Sequence, residues 1–322
     1  MRTADALLSI IVPAYCEGAH LAESLRVIAD VVTGTGHPFE ILVIDDGSSD
    51  DTWQKIRRAH EGDSRIRGAR FSRNFGKESA MAAGLSYCRG QAVIILDADL
   101  QHPPHLIPEM VRLWRDGEAD VVEARKSRSK REPRVVRMRR RMFNNLVRKT
   151  SGFDLSESSD FKLMDRRVVE AWARMGERSL FFRGMVAWLG FKVVRIPFAV
   201  DEGVRAGSNW SLSGLMNLAL VGLTAFSSLP LRLAGILGGA FFIFALLASL
   251  YTLGIRLLGH SEPGFTTVIL LQIFTSSLIL ICLGVIGEYL ARIYDEVKAR
   301  PRFVIQELAG ISEPDKAVPP RH

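Results

Sequence analysis

At 322 residues the chain has room for one substantial catalytic domain and a smaller companion. Hydrophobic residues make up 48% and charged residues 24%, with a net charge of +7, so apolar and charged content must be segregated along the sequence. Cys16, Cys88 and Cys282 stand far apart, the last inside an apolar run, a spacing that suggests neither a disulfide framework nor a metal knuckle and fits a reducing compartment.

The chain opens on a short apolar stretch interrupted by Pro13, which reads as a first strand rather than a signal peptide. Up to about residue 125, short apolar runs alternate with helix-like periodicity. Strands are expected at 7–12, 39–44, 66–71, 92–96 and 120–124, and helices at 19–32, 52–60, 77–88 and 104–114. This is the pattern of a mostly parallel, Rossmann-like α/β sheet, in which ligands bind beyond the carboxyl ends of the strands. Residues 125–149 then hold twelve Lys or Arg against Glu132 alone, a local +11 that leaves the rest of the chain at −4. Such a segment can be a solvated helix face or a nucleic-acid patch, but in a chain with membrane spans it suits an anionic membrane surface better. A Ser/Asp-rich turn at 156–160, helices near 166–175 and 180–189, and a strand at 192–197 follow.

Residues 209–228 read as an interfacial helix ahead of the membrane. Two uncharged runs, 23 residues at 233–255 and 25 at 263–287, are each long enough to cross a hydrocarbon core. The expected organisation is therefore a catalytic domain at 1–208, the juxtamembrane helix at 209–228, a transmembrane hairpin at 229–292 with spans near 233–255 and 265–288, and a tail at 293–322. Arg232, Arg292, Lys298, Arg300 and Arg302 flank the hairpin, whereas its loop offers only Arg256, His260 and Glu262. That bias puts both termini on the cytoplasmic side of the inner membrane.

The residues just past each strand carry the chemistry. Asp97-Ala98-Asp99 follows the strand AVIIL, and two carboxylates at a strand end suit a hard divalent cation shared with a diphosphate. Gln101 can add a neutral oxygen. Such a pair also occurs in ordinary turns. Asp45 and Asp46 end the run EILVI and can accept hydrogen bonds from a ribose or base, Gly47 allows close backbone approach, and Asp50 can cap the next helix. Pro13, Tyr15 and Glu17 offer an aromatic face and a carboxylate after the first strand.

The ordered stretches IVPAYCE, VIDDGSSDDT, RNFGKESA and LDADLQHPP resemble family 2 glycosyltransferases with a GT-A fold, and more narrowly the polyprenyl-phosphate glycosyltransferases. SSDFKLMDRRVVEAW, ERSLFFRGMVAWLGF, LPLRL and GVIGEYLARIYDEVKARPRFVI resemble the bacterial two-span branch, which includes bactoprenol glucosyltransferases, so that the likeness covers about residues 7–305. It implies that Pro13, Tyr15, Glu17 and Asp46 line the nucleotide pocket. Asp97, Asp99 and Gln101 would hold Mg²⁺ or Mn²⁺, and Asp160 would stand at the catalytic-base position. A polyprenyl phosphate acceptor has a second pKa near 6, however, and is already largely dianionic at neutral pH, so an orienting role for Asp160 stays open. Lys77, Arg125, Arg137 and Arg205 are candidates for phosphate contact. Where the family pattern usually has a lysine, this chain has Asn209.

The resemblance implies inverting transfer from a nucleotide-sugar, with UDP-glucose the first expectation. GDP-mannose, UDP-galactose, UDP-GlcNAc and an amino-arabinose donor are alternatives, and a homo-oligomer is possible. A processive polysaccharide synthase would need a QxxRW motif and further spans, and a non-catalytic scaffold would have lost its carboxylates. The chain also has no GxxxxGK[ST] phosphate loop.

Overall fold

The computed structural model describes residues 5–126, 159–177, 181–198, 229–257 and 264–312. Arg137 and most of the basic segment, Arg205, Asn209 and the expected juxtamembrane helix lie outside them. The described residues fall into two compact units, one comprising 5–126, 159–177, 181–198 and 300–312, the other 229–257 and 264–299.

The first unit is an eight-stranded sheet. Its parallel heart is β1 (Leu8–Ala14), β2 (Phe39–Asp45), β3 (Ile66–Phe71) and β4 (Ala92–Ile95), whose side chains are almost all buried. Continuous apolar runs are expected of strands covered on both faces. Helices α1 (Leu21–Thr33), α2 (Thr52–Gly62) and α4 (Ile107–Arg115, entered through a 3₁₀ turn at Pro104–Leu106) pack on one face. Helices α3 (Lys77–Tyr87), α5 (Arg166–Ala173) and α6 (Phe182–Trp188) cover the other. Within β1 the alternation is visible residue by residue: Ile10 and Val12 join the first core, Ile11 the second.

With β5 (Val121–Lys126), β6 (Lys162–Asp165), β7 (Val193–Phe198) and β8 (Ile305–Ala309), the strand order is β7-β5-β6-β4-β1-β2-β3-β8. Strands β6 and β8 are antiparallel to their neighbours and the other pairings are parallel. The sheet is thus the mostly parallel, GT-A-like α/β arrangement expected.

Two strands were not expected. The four residues of β6 include a lysine, which reads as surface, but Lys162 lies directly opposite Glu123 of β5 and its ammonium sits 3.1 Å from that carboxylate, both nearly fully buried. Strand β8 lies in the stretch expected to be a tail. Phe303 stacks on Phe71 at 5.2 Å, Ser72 N donates to Val304 O at 3.0 Å and Ile311 is buried, so the chain returns to close the β3 edge.

The second unit holds α7 (Leu229–Leu257) and α8 (Phe265–Lys298). Phe241 meets Phe274 with ring centroids 5.1 Å apart, and Cys282 Sγ approaches Ala234 O at 3.8 Å, contacts that run the two helices antiparallel. Among the described residues one segment, Leu271–Lys298, is long and apolar enough to cross a membrane, and none of its apolar window is buried. The corresponding stretch of α7, Ala234–Ala248, is shorter. An apolar helix left this exposed fits a membrane-associated chain.

Candidate active site

At the carboxyl ends of β1, β2 and β4 the chain makes three sharp exits. Cys16 and Leu100, neither a glycine, take left-handed backbone with φ of 55° and 54°, and Gly47 does so with φ of 69°. Left-handed non-glycine residues cost free energy and persist where the surrounding structure demands them, often at functional turns. A cavity of about 320 Å³ opens between these turns and the start of α3, lined by Pro13, Tyr15, Glu17, Asp46, Asn74, Gly76, Lys77, Asp97 and Asp99 among others. Seven of the residues singled out in the sequence are thereby brought together.

Asp46 shapes the cavity as well as lining it. Its Oδ1 accepts from Phe75 N at 2.7 Å and its Oδ2 from Gly76 N at 2.9 Å, fixing the turn that launches Lys77. Asp45 belongs elsewhere. Fully buried and outside the cavity lining, it accepts from Ser48 N at 2.9 Å and faces Arg70 Nε at 3.4 Å, contacts that anchor the turn. The close approach at Gly47 is likewise internal: a Cβ there would lie 2.4 Å from the carbonyl carbon of Arg73. Asp50 accepts from Thr52 N at 3.1 Å, a turn just ahead of α2 whose N-cap residue is Asp51 rather than the expected Asp50.

Lys77 Nζ lies between two carboxylates, 2.6 Å from Asp97 Oδ1 and 3.0 Å from Asp160 Oδ2. Partial burial disfavours its charge, but Asp97 and then Asp160 keep its pKa above the ordinary lysine value. Asp160 also receives Arg183 on both oxygens, at 2.7 Å from Nε and 2.9 Å from Nη2. Burial alone would raise its pKa; Arg183 first and Lys77 second hold the carboxyl well below the usual carboxylate range. Asp97 is lowered too, against the effect of burial, by His102 and Lys77. Glu17 moves the other way, raised by burial and then by the negative charge of Asp99.

For a divalent cation the donor set fits in kind. Asp97 and Asp99 are two hard carboxylates with Glu17 close enough to feel their charge, and a small cation completes such a pair with diphosphate oxygens and water. Among the described residues no preformed group of three or more ligands exists. Gln101 is not part of the cavity lining. It touches Asp99 through its backbone N–H, at 3.0 Å from Oδ1, because the left-handed Leu100 folds that amide back over the turn. Arg125, at the end of β5, also lies outside the lining.

In comparison with known proteins, the family model for glycosyl transferase family 2 matches residues 9–186. The chain belongs to glycosyltransferase family 2. It is 36% identical over 305 residues to the uncharacterized glycosyltransferase YkcC of Bacillus subtilis (strain 168), covering 94% of each chain. It is 33% identical over 306 residues to a prophage bactoprenol glucosyl transferase homolog of Escherichia coli (strain K12), covering 94% of this chain and 99% of the other. Among solved structures, glucosyl-3-phosphoglycerate synthase of Mycobacterium tuberculosis with Mn²⁺ and UDP aligns with a TM-score of 0.47 at 20% identity, over 67% of this chain and 77% of that one.

Two residues of the charged cluster around Asp160 escaped the sequence reading. Arg183 sits in FFRG at the start of α6, a stretch that carried family likeness but no recognisable ligand spacing. Glu78, next to Lys77, accepts from Phe182 N at 2.8 Å and so ties α3 to the helix that delivers Arg183. Their relation to Asp160 is purely tertiary: Asp160 and Arg183 are 23 positions apart, Lys77 and Asp160 83.

Proposed function

We propose that this glycosyltransferase moves a hexose, with UDP-glucose the first donor to test, onto polyprenyl phosphate at the cytoplasmic face of a membrane. The observation that carries the reading is Lys77, which joins the carboxylate of the donor turn, Asp97, to the buried Asp160 in one short chain of charge. The names of the bactoprenol glucosyl transferases that align over nearly the whole chain supply the acceptor class, and the apolar helices a place for it.

In this mechanism an oxygen of the lipid phosphate attacks the anomeric carbon from the face opposite the nucleotide. The bond from that carbon to the diphosphate breaks, and the nucleoside diphosphate leaves with the electron pair, giving an inverted, phosphodiester-linked sugar lipid. Tyr15 and Pro13 provide a face for the base, and Asp46 holds the 74–76 turn against the donor. Mg²⁺ or Mn²⁺ on Asp97 and Asp99 would supply charge neutralisation for the leaving diphosphate. Lys77 and Arg183 contribute positive charge beside the reacting phosphates, and Asp160 fixes both cations in place. A carboxyl held so far into its ionised form is a weak proton acceptor, which favours orientation over base catalysis.

Both helices of the second unit cross the bilayer in this reading, at about 233–255 and 265–288. Arg292, Lys298, Arg300 and Arg302 place the following segment in the cytoplasm. The basic segment of residues 125–149, with Arg137, and Arg205 are assigned to acceptor phosphate and anionic lipid. The test is a donor panel with purified full-length protein and undecaprenyl phosphate, following lipid-linked sugar and released nucleotide together. UDP-glucose should give both. Release of nucleotide without a lipid product from every donor would overturn the acceptor assignment, and turnover with a GDP-sugar alone would overturn the donor.

A further inference from the structure

We infer that Glu307, on the strand that follows α8, is a positioning residue for the nucleotide donor, acting through Arg70 and the β2–α2 turn. This rests on the reading that the 320 Å³ cavity takes the donor.

The cavity's first wall, at Tyr15 and Glu17, does not support itself. Three successive backbone amides of that turn donate to side chains of the next one: Cys16 N to Ser48 Oγ at 2.9 Å, Glu17 N to Thr52 Oγ1 at 3.0 Å, and Gly18 N to Asp50 Oδ2 at 3.1 Å. Cys16 sits in left-handed backbone, so these bonds are what oppose its relaxation. The same β2–α2 turn delivers Asp46 to the cavity. Whatever holds residues 45–52 therefore sets two walls of the site at once.

The turn is braced from outside the cavity. Arg70, on β3, donates through Nη2 to Ser48 O at 3.1 Å and faces Asp45 through Nε at 3.4 Å. Its remaining arm, Nη1, donates to Glu307 Oε1 at 3.1 Å. The other oxygen of Glu307 accepts from Trp53 Nε1 at 2.9 Å, and Trp53 is a buried residue in the first turn of α2, immediately past the β2–α2 turn. One carboxylate thus grips both ends of the segment, and it comes from a part of the chain 237 positions from Arg70 and 254 from Trp53. Phe303 on Phe71 and the bond from Arg67 Nε to Gly310 O at 3.0 Å fix the strand that presents it.

Removing the carboxylate leaves the buried Trp53 N–H without its acceptor and frees one arm of Arg70, while Lys77, Asp160 and Arg183 keep their contacts. The effect should fall on donor binding. The experiment uses the full-length protein in lipid nanodiscs and measures the affinity for UDP and for GDP with Mn²⁺, alongside donor KM, acceptor KM and kcat. Glu307→Ala should weaken UDP binding about tenfold, the factor that corresponds to one hydrogen bond of ordinary strength. Glu307→Gln, which retains an acceptor for Trp53 but not the ion pair, should fall between it and wild type. Acceptor KM should stay where it is, and Gln306→Ala, its exposed neighbour on β8, should match wild type. Unchanged UDP affinity in Glu307→Ala, or a loss shared equally by both KM values and kcat, would overturn the inference. Failure of the wild type to bind either nucleotide would overturn the donor-pocket reading instead.

Discussion

Asp160 accepts three charge-assisted hydrogen bonds from two cations, and this decides what it can do in the reaction. A general base works best with a pKa near the operating pH, whereas Arg183 and Lys77 hold this carboxyl well below the ordinary range. Because the folded-state pKa is depressed, its stabilising contribution is present above the unfolded carboxylate pKa of about 3.9 and is lost as pH falls through the lower folded value. At neutral pH the group is simply an anion that positions cations. Asp160→Asn should therefore slow transfer by roughly a hundredfold, the scale of a misplaced reacting group, and by the same factor from about pH 6 to 9. A deficit that shrinks steadily as pH rises would restore the base role. Asp99 tests a different function. Asp99→Asn should nearly abolish turnover without lowering the melting temperature and should weaken Mn²⁺ binding measured in the presence of UDP, with EDTA reproducing the loss on wild type. Wild-type turnover in either condition would remove the cation from these carboxylates.

The strand-to-helix turns were the most legible elements, because each ends an apolar run with residues whose chemistry has few other uses. The sequence placed Pro13, Tyr15, Glu17, Asp46, Asp97 and Asp99 at such ends and Lys77 at the start of a helix, and all seven line one cavity. It could not separate Asp46 from Asp45, since the sheet is covered on both faces and alternation along an all-apolar strand does not say which of two consecutive carboxylates at its end lines the cavity. Nor did it show that Gly47 faces the chain itself. A Cβ there would meet the backbone of Arg73, at 2.4 Å from its carbonyl carbon, and φ of 69° adds its own strain. Neither the strand end nor the 73–76 turn can step aside cheaply, because Asp46 ties them together. Gly47→Ala should cost about 2 to 4 kcal/mol, strain and overpacking together, and so lower the melting temperature by several degrees. Nucleotide affinity should fall with it, and a variant as stable as wild type would mean the turn has more freedom than this packing allows. Strand β6 was illegible for a related reason: Lys162 looks like surface until Glu123 is found opposite it.

At the scale of the whole molecule, the catalytic unit is discontinuous in sequence, broken by the apolar helices and resumed only after Lys298. No local pattern announces this. Residues 300–312 mix Arg300, Arg302 and Glu307 with Phe303, Val304, Ile305, Leu308 and Ile311, but the run is short and follows Pro301 at the end of an apolar helix, so it declares itself a strand only once its partner is known. Their partner is β3, more than 230 positions earlier, paired as Gly68 with Ala309 and Ala69 with Leu308. Ile311 is buried, and Phe303, Ile305 and Leu308 pack against the core that holds α3. At about 1.5 to 3 kcal/mol for each apolar side chain fully buried, even partial burial of these four amounts to several kcal/mol. That is a large share of the 5 to 15 kcal/mol by which a folded domain is stable. A chain stopped after Lys298 keeps both apolar helices and every residue of the cavity lining, yet it leaves the long β3 edge open and Trp53 and Arg70 without Glu307. An open edge of this kind invites pairing between chains. The truncated protein should still partition with membranes but melt at a markedly lower temperature, aggregate on heating and bind UDP poorly, whereas a chain stopped after Ser312 should behave as the intact protein does. If the Lys298 truncation melted and bound UDP like the full chain, β8 would be an ornament on the sheet, and the catalytic unit would be complete before the apolar helices begin.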